Sequence, residues 1–312
     1  NYALGVDNDD NIWLGHPDGI VHVKYGLPLK LVDLPGLNGQ VQAVYEANDG
    51  TLYVGTSVGA FKTDYRGQYQ RVGGVQSAVW HFGEYEGEVW AATSNGLVNL
   101  SGGGKTLVPN EIVLTLRAST HNEGYLYIGT TQGLYVVKDG EANALPDMRV
   151  SVNSIVEEKD GTLWIGTNYQ GLARAKQTGG KYRVVRLGKK EGLSDTYVRA
   201  FMLNGKLYLN ANNAIYSSAG GNKFKRDEKL SELIGEDKVY AYANQYLATS
   251  KGVAKYDGKT LNYSFPINYV HGPLALASTL HFPASGNMIR GIGEKVYVAK
   301  GKVATAEPKA FL

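Results

Sequence analysis

Cysteine is absent from the 312 residues of the chain. Its absence excludes disulfide frameworks, zinc sites built on thiolates and catalysis by a thiol. Long apolar runs are also lacking, since no stretch approaches the roughly 18 residues that a membrane-spanning helix requires. With 32 basic and 29 acidic side chains, the formal net charge is +3, which is too small to indicate a nucleic-acid partner.

Proline and phenylalanine are scarce, whereas glycine and tyrosine are abundant. The chain has 9 Pro and 7 Phe against 40 Gly and 22 Tyr. Glycine at this level, without a collagen period and beside 43 % hydrophobic residues, is typical of many tight turns that join short strands. The sequence begins with Asn1 and shows no signal-peptide core, so we expect a processed protein or a piece of a longer one.

An internal repeat organises the whole chain. Its clearest copies are Asp49–Lys62 (DGTLYVGTSVGAFK) and Asp160–Ala173 (DGTLWIGTNYQGLA). Eight copies follow one another at steps of 37 to 44 residues, each marked by one large side chain: Trp13, Tyr53, Trp90, Tyr127, Trp164, Tyr208, Tyr246 and Ile289. These copies fill the sequence, so residues 1–312 are predicted to form a single domain.

Each repeat unit predicts four short antiparallel strands. In the fifth unit they are Val152–Glu157, Thr162–Gly166, Leu172–Lys176 and Lys181–Leu187, with a hairpin signal at Asp160-Gly161. Four strands in about 40 residues are typical of a propeller blade. We therefore predict an all-β fold, a single β-propeller with eight four-stranded blades by repeat count. Seven blades is the alternative if the weak last copy only completes a neighbour.

The large aromatic residue of each repeat is predicted to be structural. Trp13, Trp90 and Trp164 should pack between adjacent blades, because a blade must bury both of its faces. The glycine two residues later should permit a close backbone approach or a bulge, and it occurs at Gly15, Gly55, Gly129 and Gly166. Elsewhere, Lys229–Ile234 predicts at most a single helical turn.

The repeat signature D-G-T-L-W-I-G-T followed by G-L resembles the two-component regulator propeller repeat. The stretches Leu37–Gly50 and Leu193–Phe201 resemble the polar loop that precedes the innermost strand in that family. The resemblance implies a bacterial extracytoplasmic sensor region that binds a signal, often a carbohydrate, without catalysis. It also implies a membrane-linked signalling output domain in the full-length protein. The best-known members carry paired rings and an immunoglobulin-like module, whereas this sequence holds repeats for one ring only.

Several short motifs suggest chemistry that their context does not support. Ser57 lies in a G-x-S-x-G pattern, but in a strand-to-strand turn rather than the strand-to-helix turn that a nucleophile needs. Gly102–Thr106 ends like a phosphate-binding loop, yet no helix follows it. Asp7 and Asp9 lack the remaining ligands of a calcium loop. The six histidines show no metal-site spacing, so we predict no catalytic residue, no metal site and no cofactor.

Ligand binding is predicted at the mouth of the central channel, as is usual for propellers. The loops that enter each innermost strand and the turns between second and third strands would supply the contacts. Amides, aromatic rings and guanidinium groups there suit the hydroxyls, ring C–H groups and carboxylate of a sugar. The candidates are His16, Gln40, Gln76, Trp80, Arg117, Arg149, Asn153, Asn168, Tyr169, Tyr197, Arg199 and Tyr240. The fifth turn is one residue longer than the others and carries Tyr169, which makes it the strongest candidate.

Three functions remain open on the sequence alone. The favoured one is a non-catalytic sensor propeller, periplasmic or extracytoplasmic, that binds a carbohydrate or other small polar ligand and is a candidate homodimer. The first alternative is a lyase or hydrolase of a polysaccharide or lactone, with His81, His271, Tyr197 and Arg199 as candidate acid–base and charge-stabilising groups. The second is a protein-binding scaffold, which an exposed apolar patch on one face of the ring would indicate.

Overall fold

In the computed structural model of the chain, the described residues are 3–6, 12–16, 19–23, 30–31, 34–193, 196–211, 214–235, 239–243, 246–249, 252–266, 279–281, 288–292 and 294–299. They form an all-β structure with 31 strands, and each strand pairs antiparallel with its neighbours within a sheet. None of the helices in these ranges is long and apolar enough to span a membrane.

Six sheets are built from four strands that are consecutive in sequence, and we call them the first to sixth blades. The first contains β5 (Val41–Glu46), β6 (Leu52–Thr56), β7 (Gly59–Thr63) and β8 (Gln70–Arg71). The second contains β9 (Val79–Tyr85), β10 (Glu88–Thr93), β11 (Gly96–Asn99) and β12 (Thr106–Leu107). The third contains β13 (Val113–Ala118), β14 (Leu126–Thr130), β15 (Leu134–Lys138) and β16 (Glu141–Ala144).

The remaining three consecutive blades follow the same order. The fourth contains β17 (Val152–Glu157), β18 (Leu163–Thr167), β19 (Leu172–Thr178) and β20 (Lys181–Leu187). The fifth contains β21 (Val198–Leu203), β22 (Lys206–Ala211), β23 (Ala214–Gly220) and β24 (Lys223–Arg226). The sixth contains β25 (Val239–Ala243), β26 (Tyr246–Thr249), β27 (Gly252–Tyr256) and β28 (Leu261–Pro266). The first strand of each blade is innermost, and β5, β9, β13, β17, β21 and β25 are neighbours in that order.

Two further sheets depart from this pattern. β29 (Thr279–His281), β30 (Met288–Ile292) and β31 (Lys295–Ala299) are completed by β4 (Lys30–Leu31), which comes from the other end of the chain. β29 lies beside both β25 and β5, so this sheet, built from both ends of the chain, joins the sixth blade to the first. β1 (Ala3–Val6), β2 (Ile12–His16) and β3 (Gly19–Val23) form a separate three-stranded sheet.

The predicted blade number, eight with seven as the alternative, is therefore wrong: only six units form a blade of four consecutive strands. Counting repeats assumes that each copy keeps its own fourth strand. The first copy does not, because β4 pairs with β31, where Leu31 lies opposite Tyr297. An unpaired edge at β31 would expose backbone N–H and C=O groups, and β4 covers that edge. The sequence pattern carries no information on which distant strand provides such cover.

The packing of the repeat aromatics agrees with the sequence prediction. Trp90 and Trp164 are buried, and each lies in a core cluster with side chains of the next blade. The ring of Trp164 meets that of Phe224 edge to face, with centroids 5.5 Å apart. Trp13 lies among residues whose side chains are outside the described part of the chain. Packing of aromatic rings at the seams therefore holds neighbouring blades together.

The glycines after these aromatics sit where blades approach most closely. A Cβ added at Gly55 would lie 2.7 Å from Cγ1 of Val79 in the next blade. At Gly166 it would lie 2.5 Å from the carbonyl oxygen of Val198, again in the next blade. The predicted close approach is confirmed at these positions, because no larger side chain fits there.

The segment predicted to form at most a single helical turn is longer. α1 (Glu228–Ile234) has seven residues, and the Asp227 carboxylate caps it by accepting a hydrogen bond from the Leu230 N–H at 3.0 Å. Leu230 and Ile234 pack between the fifth and sixth blades. Burial of this apolar face explains the extra length, since a short helix gains most of its stability from packing.

Candidate functional site

Four turns between second and third strands share one hydrogen-bonded design. The second strand ends in a threonine whose hydroxyl donates to the carbonyl of the glycine that closes the turn: Thr56 to Gly59 (3.2 Å), Thr93 to Gly96 (2.8 Å), Thr130 to Gly133 (3.2 Å) and Thr167 to Gly171 (2.8 Å). The same oxygen accepts a backbone N–H from inside the turn, such as that of Asn95 at 3.0 Å. The G-T…G signature of the repeat thus fixes a turn that presents its central side chains to solvent.

Each of these turns is hydrogen-bonded to the loop that enters the innermost strand of its own blade. The backbone N–H groups of Ser57, Ser94, Thr131 and Asn168 donate to carbonyls in the entry loops at 2.9 to 3.0 Å. The two groups of loops from which the ligand contacts were predicted therefore lie on one side of the ring. We call this side the entry face, defined by the entry loops of β5, β9, β13, β17 and β21 and by the turns between second and third strands.

A bulge recurs where innermost strands leave the entry face. The pairing with the second strand skips one residue in five blades: Gln42, Trp80, Leu114, Asn153 and Tyr240. A bulge redirects the side chain that it leaves unpaired, and such irregularities are common next to binding sites. Trp80 is 40 % exposed at its bulge, and its indole N–H donates to the Ser94 hydroxyl at 3.2 Å.

The fourth blade brings two predicted amides together. The Asn153 side-chain amide donates to the Asn168 side-chain oxygen at 3.1 Å and to the Val198 carbonyl at 3.2 Å. Asn168 donates in turn to the Ser151 hydroxyl at 2.7 Å. These hydrogen bonds hold the turn against the entry loop, and Tyr169 at the tip of that turn is left 78 % exposed. This turn of the fourth blade is the longer turn that the sequence places in the fifth repeat unit. It carries the most exposed of the large hydrophobic side chains in the described part of the chain.

Basic and aromatic side chains from distant blades meet around the inner strands. We call His81, Arg117, Arg199, Tyr242 and His281 the channel cluster. The Arg199 guanidinium lies over the Tyr242 ring at 5.9 Å from its centroid, and the Tyr242 hydroxyl accepts a hydrogen bond from the Asn210 amide at 2.6 Å. The backbone N–H of Leu116 donates to Nδ1 of His81 at 3.3 Å. Cation–π contact and hydrogen bonding thus fix the positions of several members.

Burial and neighbouring positive charges both lower the pKa of His81. Desolvation by the protein atoms around the ring lowers its pKa from 6.5 to about 4. The positive charges of Arg199, His281 and Arg117 lower it further. Burial likewise lowers the pKa of His281, opposed by Glu46. At neutral pH the two histidines are uncharged, so the arginines supply the positive charge of the cluster.

Neither arginine of the cluster is neutralised by an acidic side chain in the described ranges. The ion pairs Lys176–Asp160 and Arg226–Glu228 lie on exposed surfaces away from the inner strands, and neither includes Arg117 or Arg199. In the same ranges no group of three or more His, Asp or Glu side chains could hold a metal ion. The cluster can therefore bind an anionic group through guanidinium hydrogen bonds.

The other predicted residues are dispersed, and their ligand contacts stay predictions. Gln40 belongs to the entry face, where its backbone N–H donates to the Ser57 hydroxyl at 3.1 Å. Tyr197 is 40 % exposed just before β21. Arg149 is exposed after a 3-10 turn (Pro146–Met148) and does not join the channel cluster. The side chains of His16 and Tyr240, and all of His271, lie outside the described part of the chain.

Sequence reasoning missed two members of the channel cluster. Tyr242 stacks on Phe201 with ring centroids 3.6 Å apart, and His281 packs against Tyr45 at 4.8 Å. Alternation in Val239–Ala243 places Tyr240 and Tyr242 on the same side of an ideal strand, which is a usable signal. No local signal marks His281, because the residues it meets come from a different repeat.

Comparisons with known proteins agree with the repeat signature. The sequence profile of the two component regulator propeller family matches residues 144–169. No curated protein matches the chain.

Solved structures share the architecture at low identity. The extracellular domain of a protein named as a hybrid two component system, BT3049 from B. thetaiotaomicron, is 15 % identical, with a TM-score of 0.70 over 98 % of this chain and 46 % of that one. The corresponding domain of BT4673 from the same organism is 15 % identical, with a TM-score of 0.65 over 87 % of this chain and 39 % of that one. YCF48 from Cyanidioschyzon merolae is 10 % identical, with a TM-score of 0.58 over 88 % and 98 %.

At such identities the likeness concerns the fold. This chain spans less than half the length of the two B. thetaiotaomicron domains. The resemblance inferred from the repeat is confirmed by the profile match at residues 144–169: the chain is an all-β propeller that carries the two component regulator propeller repeat.

Proposed function

We propose that this propeller is the non-catalytic input region of an extracytoplasmic signalling protein, and that its entry face and channel cluster bind an acidic carbohydrate. The observation that carries the proposal is the meeting of Arg117 and Arg199 around His81, without an acidic partner among the described residues. Arg117 is exposed and Arg199 is half-buried, so a ligand can reach both guanidinium groups. Positive charges gathered without an acidic partner favour a role in binding an anion.

The distribution of exposed apolar side chains supports the entry face as the binding surface. Six large hydrophobic side chains are notably exposed in the described part of the chain, and five of them belong to this face: Val58, Trp80, Ile112, Tyr169 and Tyr197. The sixth, Met202, lies at the opposite end of its strand. Exposed apolar groups gathered on one side typically mark an interaction surface, and they are also the feature expected of the protein-binding alternative. Aromatic faces among them suit the C–H faces of sugar rings.

The guanidinium groups specify the acidic character of the ligand. Arginine forms paired, charge-assisted hydrogen bonds with a carboxylate, and these are stronger than hydrogen bonds between neutral groups. A uronic acid would offer that carboxylate to the channel cluster while its ring lies against the aromatic side chains of the entry face. His81 is neutral at physiological pH and adds a hydrogen-bonding group rather than charge.

The signalling role rests on the repeat match and on the fold. The matched profile is that of a regulator propeller, and two structures of the same fold are named as extracellular domains of hybrid two component systems. Because those structures are named as parts of hybrid two component systems, we propose that a membrane-linked output region belongs to the same full-length protein. Self-association into a homodimer is part of the same proposal.

Titration calorimetry of the chain with oligogalacturonate, oligoglucuronate and the neutral cello-oligosaccharide tests the ligand class. We expect an acidic oligosaccharide to bind and Arg117→Gln with Arg199→Gln to weaken its binding at least about tenfold, since one charge-assisted hydrogen bond is worth about 1.5–3 kcal/mol. Arg183→Gln, on the exposed outer strand β20, is the matched control and should leave affinity unchanged. No heat with any acidic oligosaccharide, or an affinity for the acidic ones that Arg117→Gln with Arg199→Gln leaves unchanged, would overturn the proposal.

The same samples distinguish the alternative functions. Products that absorb in the ultraviolet after incubation with the uronate polymers would indicate a lyase and contradict a non-catalytic role. Analytical ultracentrifugation tests the homodimer. A single species of monomer mass over the accessible concentration range would remove that part of the proposal and leave the ligand class untouched.

A further inference from the structure

We propose a second binding site, separate from the channel cluster, in a cleft over the second blade, and we infer that it takes an uncharged ligand rich in hydroxyl groups. The cleft has a volume of about 470 Å³, within the range of small-molecule sites. It lies between the entry loop of β9 and the turn and outer strands of the second blade. We call it the blade-two cleft.

The walls of this cleft contain no charged side chain. Its lining is Gly73, Gly74, Val75, Gln76, Ser77, Thr93, Asn95, Val98, Gly104, Thr106 and Pro109. The charged residues that flank it in sequence contact other protein groups. The Arg71 guanidinium donates to the Val58 carbonyl at 2.8 Å and to the carbonyl of the lining residue Val75 at 3.5 Å, and it lies over the Phe61 ring. The Lys105 ammonium lies beside Gly140 of the third blade. An ionic ligand would therefore find no counter-charge in the cleft.

Unused hydrogen-bonding groups line the cleft instead. The side-chain amides of Gln76 and Asn95 and the hydroxyl of Ser77 have no hydrogen-bond partner among the described residues. Each amide offers both donor and acceptor atoms, which is what neighbouring hydroxyl groups require. The Thr93 hydroxyl, by contrast, is hydrogen-bonded within the turn, where it donates to the Gly96 carbonyl. The free groups thus belong to the open side of the cleft.

An aromatic ring is hydrogen-bonded to the turn that forms one wall of the cleft. The Trp80 indole N–H donates to the Ser94 hydroxyl at 3.2 Å, and Ser94 is the neighbour of the lining residue Asn95 in that turn. Trp80 is not itself a lining residue, and its side chain is 40 % exposed. A flat apolar face next to neutral donors and acceptors is the combination that suits a sugar ring, whose C–H groups stack while its hydroxyls form hydrogen bonds. The cleft therefore fits a residue of a neutral oligosaccharide.

Glycine at position 73 contributes open space rather than backbone freedom. Gly74 has a φ of +83°, where other residues are strained, but the φ of Gly73 lies outside the left-handed region. A Cβ at Gly73 would meet no atom within 4 Å. The fold thus tolerates a side chain at this position, and its absence keeps one wall of the cleft clear. This property makes Gly73 the best position from which to block the site.

Amide NMR spectra of the chain titrated with cellobiose, lactose and xylobiose test the proposal. At least one of these neutral sugars should shift the amide signals of Gly73, Gly74, Gly104 and Asn95. Gly73→Trp should abolish the shifts, Gly73→Ala should retain them, and Asn95→Ala should weaken binding several-fold. Thermal unfolding of each variant separates a blocked site from a damaged fold.

Two outcomes would overturn the proposal. One is that none of the three sugars shifts these amides, and the other is that the shifts persist in the folded Gly73→Trp variant. Arg117→Gln with Arg199→Gln, which tests the channel cluster, should leave these shifts unchanged. The two proposals therefore fail independently.

Discussion

A Cβ added at Gly129 in the third blade would lie 2.7 Å from Cγ1 of Val152 in the fourth. It would lie equally close to Cγ2 of Thr115 in its own blade. Val152 is fully buried, so neither neighbour can move without disturbing the seam between blades. The two blades can approach this closely because Gly129 has no side chain.

Gly129→Val should destabilise the fold by about 1–3 kcal/mol or more, because it forces extra atoms into a packed seam. Urea unfolding followed by tryptophan fluorescence measures the loss. Gly73→Ala is the matched control, since its new Cβ enters open space, and it should change stability by no more than about 1 kcal/mol. Equal stability of the two variants would contradict the close approach.

The hydrogen bonds of Glu157 should stabilise the contact between the fourth and third blades. Its buried carboxylate accepts hydrogen bonds from the Ser119 hydroxyl at 2.6 Å, from the Thr120 backbone N–H at 2.5 Å and from the Thr120 hydroxyl at 3.0 Å. Glu157→Gln replaces one accepting oxygen by a donor, so we expect a loss of about 1–3 kcal/mol in chemical denaturation. Glu158→Gln, beside it in sequence, should cost less than about 0.5 kcal/mol.

The strand β4 should stabilise the sheet formed by β29, β30 and β31. Deleting residues 1–31 removes the partner of Tyr297 and Val298 and leaves β31 as an open edge. We expect a lower melting temperature and concentration-dependent aggregation, because exposed strand edges pair with other chains. Deleting residues 1–23 removes the separate three-stranded sheet but keeps β4, and it should be better tolerated. A smaller effect from the longer deletion would contradict the pairing.

The fold should lose stability in acid partly through His81. Its pKa is about 4 in the folded chain and near 6.5 when unfolded, so between these values the unfolded chain binds more protons. The stability linked to this group is therefore fully present above about pH 6.5 and is lost as the pH falls through about 4. Melting temperatures of the wild type and His81→Gln, compared at pH 7 and pH 4.5, measure it. The wild type should lose more on acidification.

Arg199→Gln provides the control for that pH effect. Removing one neighbouring positive charge should raise the pKa of His81 and reduce the loss of stability in acid, since Arg199 is the largest charge effect on this ring. Titration of the histidine ring protons by NMR follows the pKa directly. An unchanged His81 pKa in this variant would show that the channel cluster is not assembled as described.

Local regularities in the sequence were sufficient for the blade architecture. The strand Val152–Glu157 and the hairpin that follows it agree with prediction, because alternation and turn residues act over a few positions. The threonine-closed turns could be located from the G-T…G spacing for the same reason. The number of blades could not be predicted from local sequence, since it depends on the pairing of β4 with β31 across nearly the whole chain.

The sequence indicated which kinds of residue would lie near the entry face, but not which of them would contact one another. Loop position indicated Arg117 and Arg199, whereas their meeting with His81 depends on the ring that the blades form. Asn153 and Asn168 were equally plausible from sequence, and the structure shows that they bind each other. Of the residues that line the blade-two cleft, the sequence indicated only Gln76, since a cavity depends on the packing of surrounding loops.

The sequence by itself determined an all-β propeller without thiol chemistry, because composition, turn signals and a repeat of about 40 residues are properties of the chain alone. Only the tertiary structure decided which strand completes the last sheet, how many four-stranded units exist, and which charges face one another. These features depend on contacts between residues far apart in sequence. These contacts form only when the ring closes, so no local sequence pattern encodes them.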